Sequence, residues 1–542
     1  EASFRVLAYR RAATRIRETG GPVAQLALEG KAKALSGIGK TIEEKIVQVV
    51  ETGEMAALTK RKALVPAEVV KFMRLPGLGP KTARRIWKEL GVTTLVELKQ
   101  AAEQQRLRAL TGLGAKSEEK ILRALAEEPQ DPRESRRLLG DGLPVLLELV
   151  EELRRHPAAV KVSEAGSARR RRETFRDLDV IATSTDPPAL IEHFVARDNI
   201  ASIVAKGDTK ATVITNEGLR LDLRVVPPES YGNLLQHFTG SKEHNVALRE
   251  EAVRRGFSVS EYSVTNTETG DEFTAADEEE LYAHLGYAYI PPELRENSGE
   301  LAAARNGELP TLVERSDLRG DLHSHSTWSD GKASIEEMAR AAQALGHEYL
   351  AMCDHSHRLR DGRLELQWEE IDALNEVLAP FRILKGIEVN IRANGELDVA
   401  DELLERLDWV MASMHTSFDK DPTERVLHTM GSPHVDCIGH LTSRRIGVRN
   451  PSTVEVEKVV EGALATGTFL EINSQPDRLD LRDANARLAG VAGVTLVVSS
   501  DGHSPKALRY VDLGVAQARR AWLTKEQILN TRTWKQIEKL RK

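Results

Sequence analysis

Short apolar runs that end in a histidine or a carboxylate recur through the last two-fifths of the chain, and they restrict it to an architecture that gathers strand ends. The runs Tyr349–Cys353, Val410–Ser413, Phe469–Ile472 and Val494–Val498 alternate with helical patterns, which predicts an α/β domain. Around them stand Asp321-Leu-His-Ser-His, Cys353-Asp-His, Gly386-Ile-Glu, Ser413-Met-His, Ile438-Gly-His and Ser500-Asp-Gly-His. Function is therefore expected at one end of a barrel or sheet, where α/β enzymes place their sites. Ten of the fifteen histidines fall in 319–542. Imidazoles and carboxylates in this number suit two or three Mn²⁺, Zn²⁺ or Fe²⁺ ions, whereas an all-oxygen Mg²⁺ site needs fewer nitrogens.

At ~100–200 residues per domain, the 542 residues divide into three to five compact units. Hydrophobic residues make up 41% and charged residues 29%, which excludes collagen, disulfide scaffolds and wholesale disorder. No apolar run approaches the ~18–20 residues of a bilayer crossing, so no membrane partner is expected. Two cysteines, Cys353 and Cys437, cannot form a disulfide framework and point to a reducing, cytoplasmic compartment. Nothing present resembles a signal peptide. The net charge of -7 is unevenly spread: Lys+Arg against Asp+Glu is 24 to 15 in 1–130, 23 to 34 in 131–318 and 29 to 34 in 319–542. A basic front on an acidic body predicts contact with a polyanion.

That front is all-α in pattern and carries an internal repeat. Leu35-Ser-Gly-Ile-Gly-Lys40, Leu75-Pro-Gly-Leu-Gly-Pro80 and Leu110-Thr-Gly-Leu-Gly-Ala115 share one grammar, and a basic helical segment follows each. Paired glycines let a backbone approach an anion, and the next helix N-terminus offers free N–H groups. No strand precedes the turns, which argues against a dinucleotide fingerprint. Gly37, Gly39, Gly77, Gly79, Gly112 and Gly114 are the expected DNA-backbone contacts, in turns that resemble helix-hairpin-helix motifs.

Beyond the break at Glu128–Pro132, β-branched runs at 160–162, 178–183, 211–214 and 219–226 read as strands. Asp177 and Asp179, one residue apart, point to the same face of their strand. Asp222, in Arg220-Leu-Asp-Leu-Arg224, lies on another strand whose alternation can aim it at the same place. Three converging carboxylates can hold two Mg²⁺ or Mn²⁺ ions at ~3.5–4 Å, the arrangement that serves nucleotidyl transfer.

The order of helix-hairpin-helix turns, Gly166-Ser167, Asp177-x-Asp179, Asp222 and Phe238-Thr-Gly-Ser241 resembles family X DNA polymerases over about residues 1–295. That resemblance implies Asp177, Asp179 and Asp222 as catalytic metal ligands and Gly166, Ser167 and Arg170 as triphosphate contacts. It further implies Phe238, Gly240, Asn245 and Arg249 around the nucleotide sugar and the templating minor groove, with deoxynucleoside triphosphates as substrate. Lys45 falls where some relatives carry a Schiff-base lysine. Arg171 and Arg176 stand where the family usually has glycine, and His237 where it has tyrosine.

The histidine pattern of 319–542 resembles the PHP (polymerase and histidinol phosphatase) domain, a distorted β/α barrel. Carried over, its metal ligands are His323, His325, Asp330, His355, Glu388, His415, His440, Asp501 and His503, with His357 and Arg445 as candidate substrate contacts. The expected layout is a helical 8-kDa-like DNA-binding domain at 1–72, helix-hairpin-helix fingers at 73–130, an α+β nucleotidyltransferase palm at 131–228, a thumb at 229–294, a linker at 295–318 and the PHP barrel at 319–542. The expected function is gap-filling DNA synthesis on nicked or gapped DNA coupled to a Mn²⁺-dependent 3′→5′ exonuclease. Two alternatives remain at this level: a DNA-end-processing nuclease with a weak or inactive polymerase body, and a phosphatase with a non-catalytic DNA-tethering front.

Overall fold

The computed structural model describes residues 23–35, 38–53, 78–110, 112–126, 136–418 and 420–541, with a few isolated positions before residue 73. It separates into two compact units, 1–135 and 136–542.

The described part of the first unit is helical: α1 (Val23–Leu28), α2 (Lys40–Thr52), α3 (Pro80–Leu90), α4 (Leu95–Glu103) and α5 (Ala115–Ala126). Gly39 caps α2 and Gly79 caps α3, and neither offers a side chain to the first N–H groups. Pro80 at the start of α3 loses nothing there, because its missing N–H is one that has no partner within the helix. Thr94 and Glu97 form a reciprocal capping box at α4. The helices bury Ile86, Leu98, Leu107, Leu113 and Ile121 in one apolar cluster.

The second unit opens with α6 (Leu139–Arg154) and a five-stranded mixed sheet. In chain order its strands are β1 (Ala159–Ala165), β2 (Asp177–Ser184), β3 (Ile200–Lys206), β4 (Lys210–Thr215) and β5 (Arg220–Val225). They lie side by side as β1-β2-β5-β4-β3. Four of these match the apolar runs read in the sequence. The strand β3 was not anticipated, because it is an edge strand with most of its side chains in solvent and therefore lacks a buried face. Two helices follow, α7 (Tyr231–Thr239) and α8 (Lys242–Arg254), then a small antiparallel sheet at 257–273 and α9 (Glu278–His284).

Residues 295–318, expected as a polar linker, are folded and packed. They carry α10 (Glu300–Asn306), whose Leu301 and Ala304 join the apolar cluster of Leu248 and Leu281, and Arg295 is fully buried against Glu278. The polar character that marked the stretch reflects partners inside the protein: Glu300 accepts a hydrogen bond from His244 at 2.7 Å within the core.

Seven parallel strands then run in sequence order: β6 (Gly320–Ser324), β7 (Tyr349–Met352), β8 (Arg382–Asn390), β9 (Trp409–Ser413), β10 (Cys437–Ile438), β11 (Phe469–Asn473) and β12 (Leu496–Ser499). A parallel bridge between Ser324 and Gly502 brings the first and last strands together, which nearly closes the barrel. The strands are buried on both faces, so they read as continuous apolar runs rather than alternating ones. Cys353 and Cys437 are both buried and unbridged. Among the described residues no helix is long and apolar enough to cross a membrane.

The sheet core of β1–β5 continues into the barrel, since Leu479 and Leu513 pack in the same apolar cluster as Leu139, Phe175 and Leu221. Charged contacts reinforce that seam. Arg444 makes a bidentate pair with Glu173, at 3.1 and 2.6 Å. Arg520, on α11 (Val511–Arg520), donates to Asp483 at 2.6 Å, to Glu296 at 3.1 Å and to the carbonyl of Arg170 at 2.8 Å.

Candidate active sites

The strands β2 and β5 run parallel in a register that sets Asp179 directly opposite Asp222 and Asp177 opposite Arg220. The two-residue pleat then puts all three carboxylates on one face. Burial, followed by the negative charges of Asp222 and Asp177, pushes Asp179 up to about 6. Arg220 lies among them, 3.0 Å from Asp222 and 3.6 Å from Asp177, and Arg176 contacts Asp177 at 3.1 Å. The hydroxyl of Thr212 donates to Asp222. The three carboxylates do not bring one oxygen each within 4.8 Å of one another. The donor set is nevertheless all oxygen and doubly acidic on one strand, which fits hard divalent cations.

Glycine at 166 suits the backbone and leaves Asp179 in place. Its φ is +65°, and a Cβ there would fall 2.2 Å from Asp179 Oδ2. It opens the short helix Gly166–Arg169, which contains Ser167. Arg170 donates to Glu296 at 3.1 Å and to the carbonyl of Thr239. Arg171 adopts φ +55°, the left-handed backbone that glycine takes freely, and is held there by bonds to Glu164 at 3.0 Å and to the Ala168 carbonyl at 2.9 Å. The backbone turn that a glycine would supply is thus kept.

At the start of α8, Asn245 donates to the His237 carbonyl at 2.8 Å and accepts from Gln236 at 2.8 Å. Arg249 meets His237 Nδ1 at 2.9 Å, and Phe238 lies under Arg224 at 4.4 Å. Gly240, at φ +66°, caps α7. These residues belong to one neighbourhood, joined through His237. Lys45 sits on α2 with its ammonium 4.9 Å from the Tyr9 ring centre. Gly39, Gly79, Gly112 and Gly114 lie at or just before helix starts, whereas Gly37 and Gly77 lie outside the described residues.

All nine histidine-site residues converge at the C-terminal ends of the barrel strands. Three groups share close ligand atoms: His325, Asp330, His355 and His503; His323, His325 and Asp501; His355, Glu388 and His415. His440 Nε2 joins them 3.1 Å from Glu388. Other separations are His325 to Asp501 at 3.1 Å, His415 to Glu388 at 3.4 Å and His503 to Asp330 at 3.3 Å. Atoms bound to one metal at ~2.1 Å lie about 3.0–3.4 Å apart, so these spacings match shared coordination.

The outer ring of contacts agrees. His323 Nδ1 is 2.7 Å from Glu471, His415 Nδ1 is 2.7 Å from Asn390, and His503 Nδ1 is 2.8 Å from the Asp501 carbonyl. Each of these rings is fixed through one nitrogen and turns the other inward, the pattern of metal-binding histidine. His323 Nε2 and both nitrogens of His325 are buried and make no hydrogen bond. Burial holds His325 down to about 4, which leaves a neutral imidazole at pH 7. Burial would also lower His323, but the Glu471, Asp501 and Glu388 carboxylates hold it above its ordinary value. His440 and Asp501 carry φ of +26° and +50°, strained backbone of the kind that accumulates at functional sites. The nitrogen-rich donor set and the unpartnered ring nitrogens fit divalent transition metals.

Glu471 was not singled out from the sequence, nor were Asn390 and Arg478. Glu471 is a lone carboxylate in the middle of Phe469-Leu-Glu-Ile-Asn473, and a charge inside an apolar strand was the available signal. The His357 ring lies tilted beside that of His355 with centres 5.4 Å apart, and Arg445 lines a cavity beside His503.

Comparison with known proteins follows the same division. A helix-hairpin-helix domain matches residues 1–55, a SAM-like helix-hairpin-helix tandem 69–127, the DNA polymerase beta thumb 234–296 and the PHP domain 321–474. The chain is 40% identical to "DNA polymerase/3'-5' exonuclease PolX" of Bacillus subtilis (strain 168) over 546 residues, covering 99% of this chain and 95% of that protein. Its C-terminal part is 34% identical to a "Probable phosphatase" of Acetivibrio thermocellus over 197 residues, 34% of this chain and 78% of the relative. A similarly named protein of Thermoanaerobacter sp. (strain X514) is 31% identical over 227 residues, 39% of this chain and 89% of the relative. With near full-length similarity to one such enzyme, and with thumb, helix-hairpin-helix and PHP modules in one polypeptide, the chain belongs to the bacterial family X DNA polymerases that carry a C-terminal PHP domain.

Proposed function

We propose that this protein is a DNA repair enzyme with two chemistries, template-directed gap filling and 3′→5′ removal of nucleotides from DNA ends. The observation that carries the first is the register of β2 on β5, which faces Asp179 with Asp222 one pleat from Asp177. Divalent cations held by these three, Mg²⁺ or Mn²⁺, would neutralise the triphosphate and favour attack by the primer 3′-hydroxyl. Gly166 lets the backbone come close to the nucleotide, Ser167 and Arg170 contact its phosphates, and Phe238, Gly240, Asn245 and Arg249 border its sugar. The nucleotide is a deoxynucleoside triphosphate. The glycine turns of 1–130 take the DNA backbone without reading sequence, because the N–H groups at Gly39 and Gly79 have no side-chain partner.

The second chemistry belongs to the nine ligands of the barrel. Two or three ions there, Mn²⁺, Zn²⁺ or Fe²⁺, would polarise a phosphodiester and acidify water. The protein fixes the ligand rings of His323, His415 and His503 through Glu471, Asn390 and the Asp501 carbonyl. The domain division at 72, 130, 228, 294 and 318 is part of this reading, with 295–318 as a packed connector.

The test is a labelled primer on a one-nucleotide gap, with Mn²⁺ or Mg²⁺, with and without nucleotides. One-nucleotide extension with nucleotides and stepwise shortening without them is the expected result. Shortening without any extension would favour an end-processing nuclease. No action on DNA alongside hydrolysis of histidinol phosphate would overturn the repair reading.

A further inference from the structure

A cavity of about 450 Å³ opens beside the histidine cluster, and Asp501 and His503 form part of its wall. That volume lies within the ~300–1,000 Å³ of small-molecule sites. Lys332, Arg445 and Arg478 bring three cations to it, and Tyr510 brings an aromatic ring. Arg478 is the least exposed of the three cations. Its side-chain contact is with Asp501 at 3.9 Å, too long for a hydrogen bond, so its guanidinium keeps donors for a further anion. Lys332 is exposed, and among the described residues its ammonium makes no ion pair. Arg445 pairs with Asp477 at the rim.

Tyr510 is half-buried, and its ring packs against the apolar cluster that contains Leu139 and Leu513. Its hydroxyl makes no hydrogen bond among the described residues. A ring held in place by packing, with a cavity beside it, is a platform for a flat partner. The far wall comes from the sheet module: Asp141 on α6 lines the cavity, and Gly140 fits so closely that a Cβ there would fall 2.6 Å from Pro476.

We propose that this cavity is the pocket for the 3′-terminal nucleotide of the strand being shortened. It takes a 2′-deoxynucleoside 5′-monophosphate unit, with the phosphate at Arg478 beside Asp501 and His503, the base stacked on Tyr510, and the preceding phosphates at Lys332 and Arg445. The pocket is built by both modules, and it rests on the reading that the histidine site trims DNA 3′ ends.

The experiment is calorimetric binding of dAMP, deoxyribose 5-phosphate and inorganic phosphate to the Mn²⁺-loaded full chain. Base stacking on an aromatic side chain changes affinity by about tenfold or more, so dAMP is expected to bind about tenfold tighter than deoxyribose 5-phosphate. Tyr510→Ala removes that preference and Tyr510→Phe retains it. Arg445→Ala and Lys332→Ala are expected to lower kcat/KM on single-stranded DNA about tenfold with folding preserved by circular dichroism. Equal binding of dAMP and deoxyribose 5-phosphate by the unaltered chain, or a preference that survives Tyr510→Ala, overturns the pocket. If the preference is present but the chain removes no nucleotides from DNA, the pocket stands and the exonuclease reading falls. If DNA is shortened but the preference is missing, the pocket alone falls.

Discussion

Asp179 lies directly across from Asp222 on neighbouring parallel strands, and Arg220 reaches from the same strand as Asp222 to contact both Asp222 and Asp177. Acidic side chains this close are stable together only with positive charge among them. Arg220 supplies part of it, and divalent cations are expected to supply the rest.

The two chemistries are therefore expected to separate cleanly. Asp179→Ala should abolish primer extension, by about a thousandfold or more, and leave shortening of single-stranded DNA intact. His355→Ala should do the reverse. Parallel extension and exonuclease assays on both variants check this, and loss of both activities in either folded variant would count against independent sites.

Gly166→Ala should injure the polymerase site through sterics alone. The new Cβ would fall 2.2 Å from Asp179 Oδ2, on a backbone at φ +65°. The left-handed conformation costs a non-glycine residue about 1–2 kcal/mol. Extension is expected to drop by about a hundredfold with a melting temperature lowered by a few degrees, while exonuclease rate in the same preparation stays unchanged.

Glu471→Gln should weaken metal loading without removing a ligand. Its carboxylate holds His323 at 2.7 Å and accepts from Ser499 and from the His440 N–H. Loss of such an outer partner typically costs about 10–100-fold in metal affinity. Mn²⁺ titration followed by electron paramagnetic resonance gives the readout, and unchanged affinity would remove Glu471 from the site's support.

Glu278 makes acid stability measurable. Burial alone would raise it, but Arg295 and Arg169 overcome that and hold it down to about 2. A carboxylate depressed in the folded state stabilises fully above its unfolded value near 4.5 and ceases to do so as pH falls through about 2. The shift corresponds to roughly 3 kcal/mol. Comparing the chain with Glu278→Gln in thermal melts, the gap should be full above pH 5 and narrow steadily toward pH 2. A gap independent of pH would show that packing, not charge, accounts for the difference.

How much of this was legible in the sequence depended on whether a residue's partners were near it in the pattern. Asp177-x-Asp179 was readable because the strand period fixes a shared face, and Asp222 because its own strand alternates around it. The gathering of the nine histidine-site residues was readable because parallel strands deliver whatever follows them to one end. Arg220 as a bridge between carboxylates was not, since nothing local distinguishes it from a surface arginine. Glu471 was hidden for the opposite reason, as its strand is buried on both faces and shows no alternation. The packing of 295–318 was not legible because its polar residues find partners inside the protein: Arg295 pairs with Glu278, and Glu300 accepts a hydrogen bond from His244. Polar composition signals a tether only when the charges have water, not each other, as partners.

The anchoring of Glu173 by Arg444, and of the Arg170 carbonyl and Glu296 by Arg520, has a consequence for traffic between the two chemistries. The loop that carries Arg170 and Glu173 is tied by these contacts to the barrel that holds the histidine cluster. Any relative movement of sheet and barrel would have to break these pairs. Moving a strand end from one site to the other is then expected to fall to the DNA rather than to a hinge between sheet and barrel.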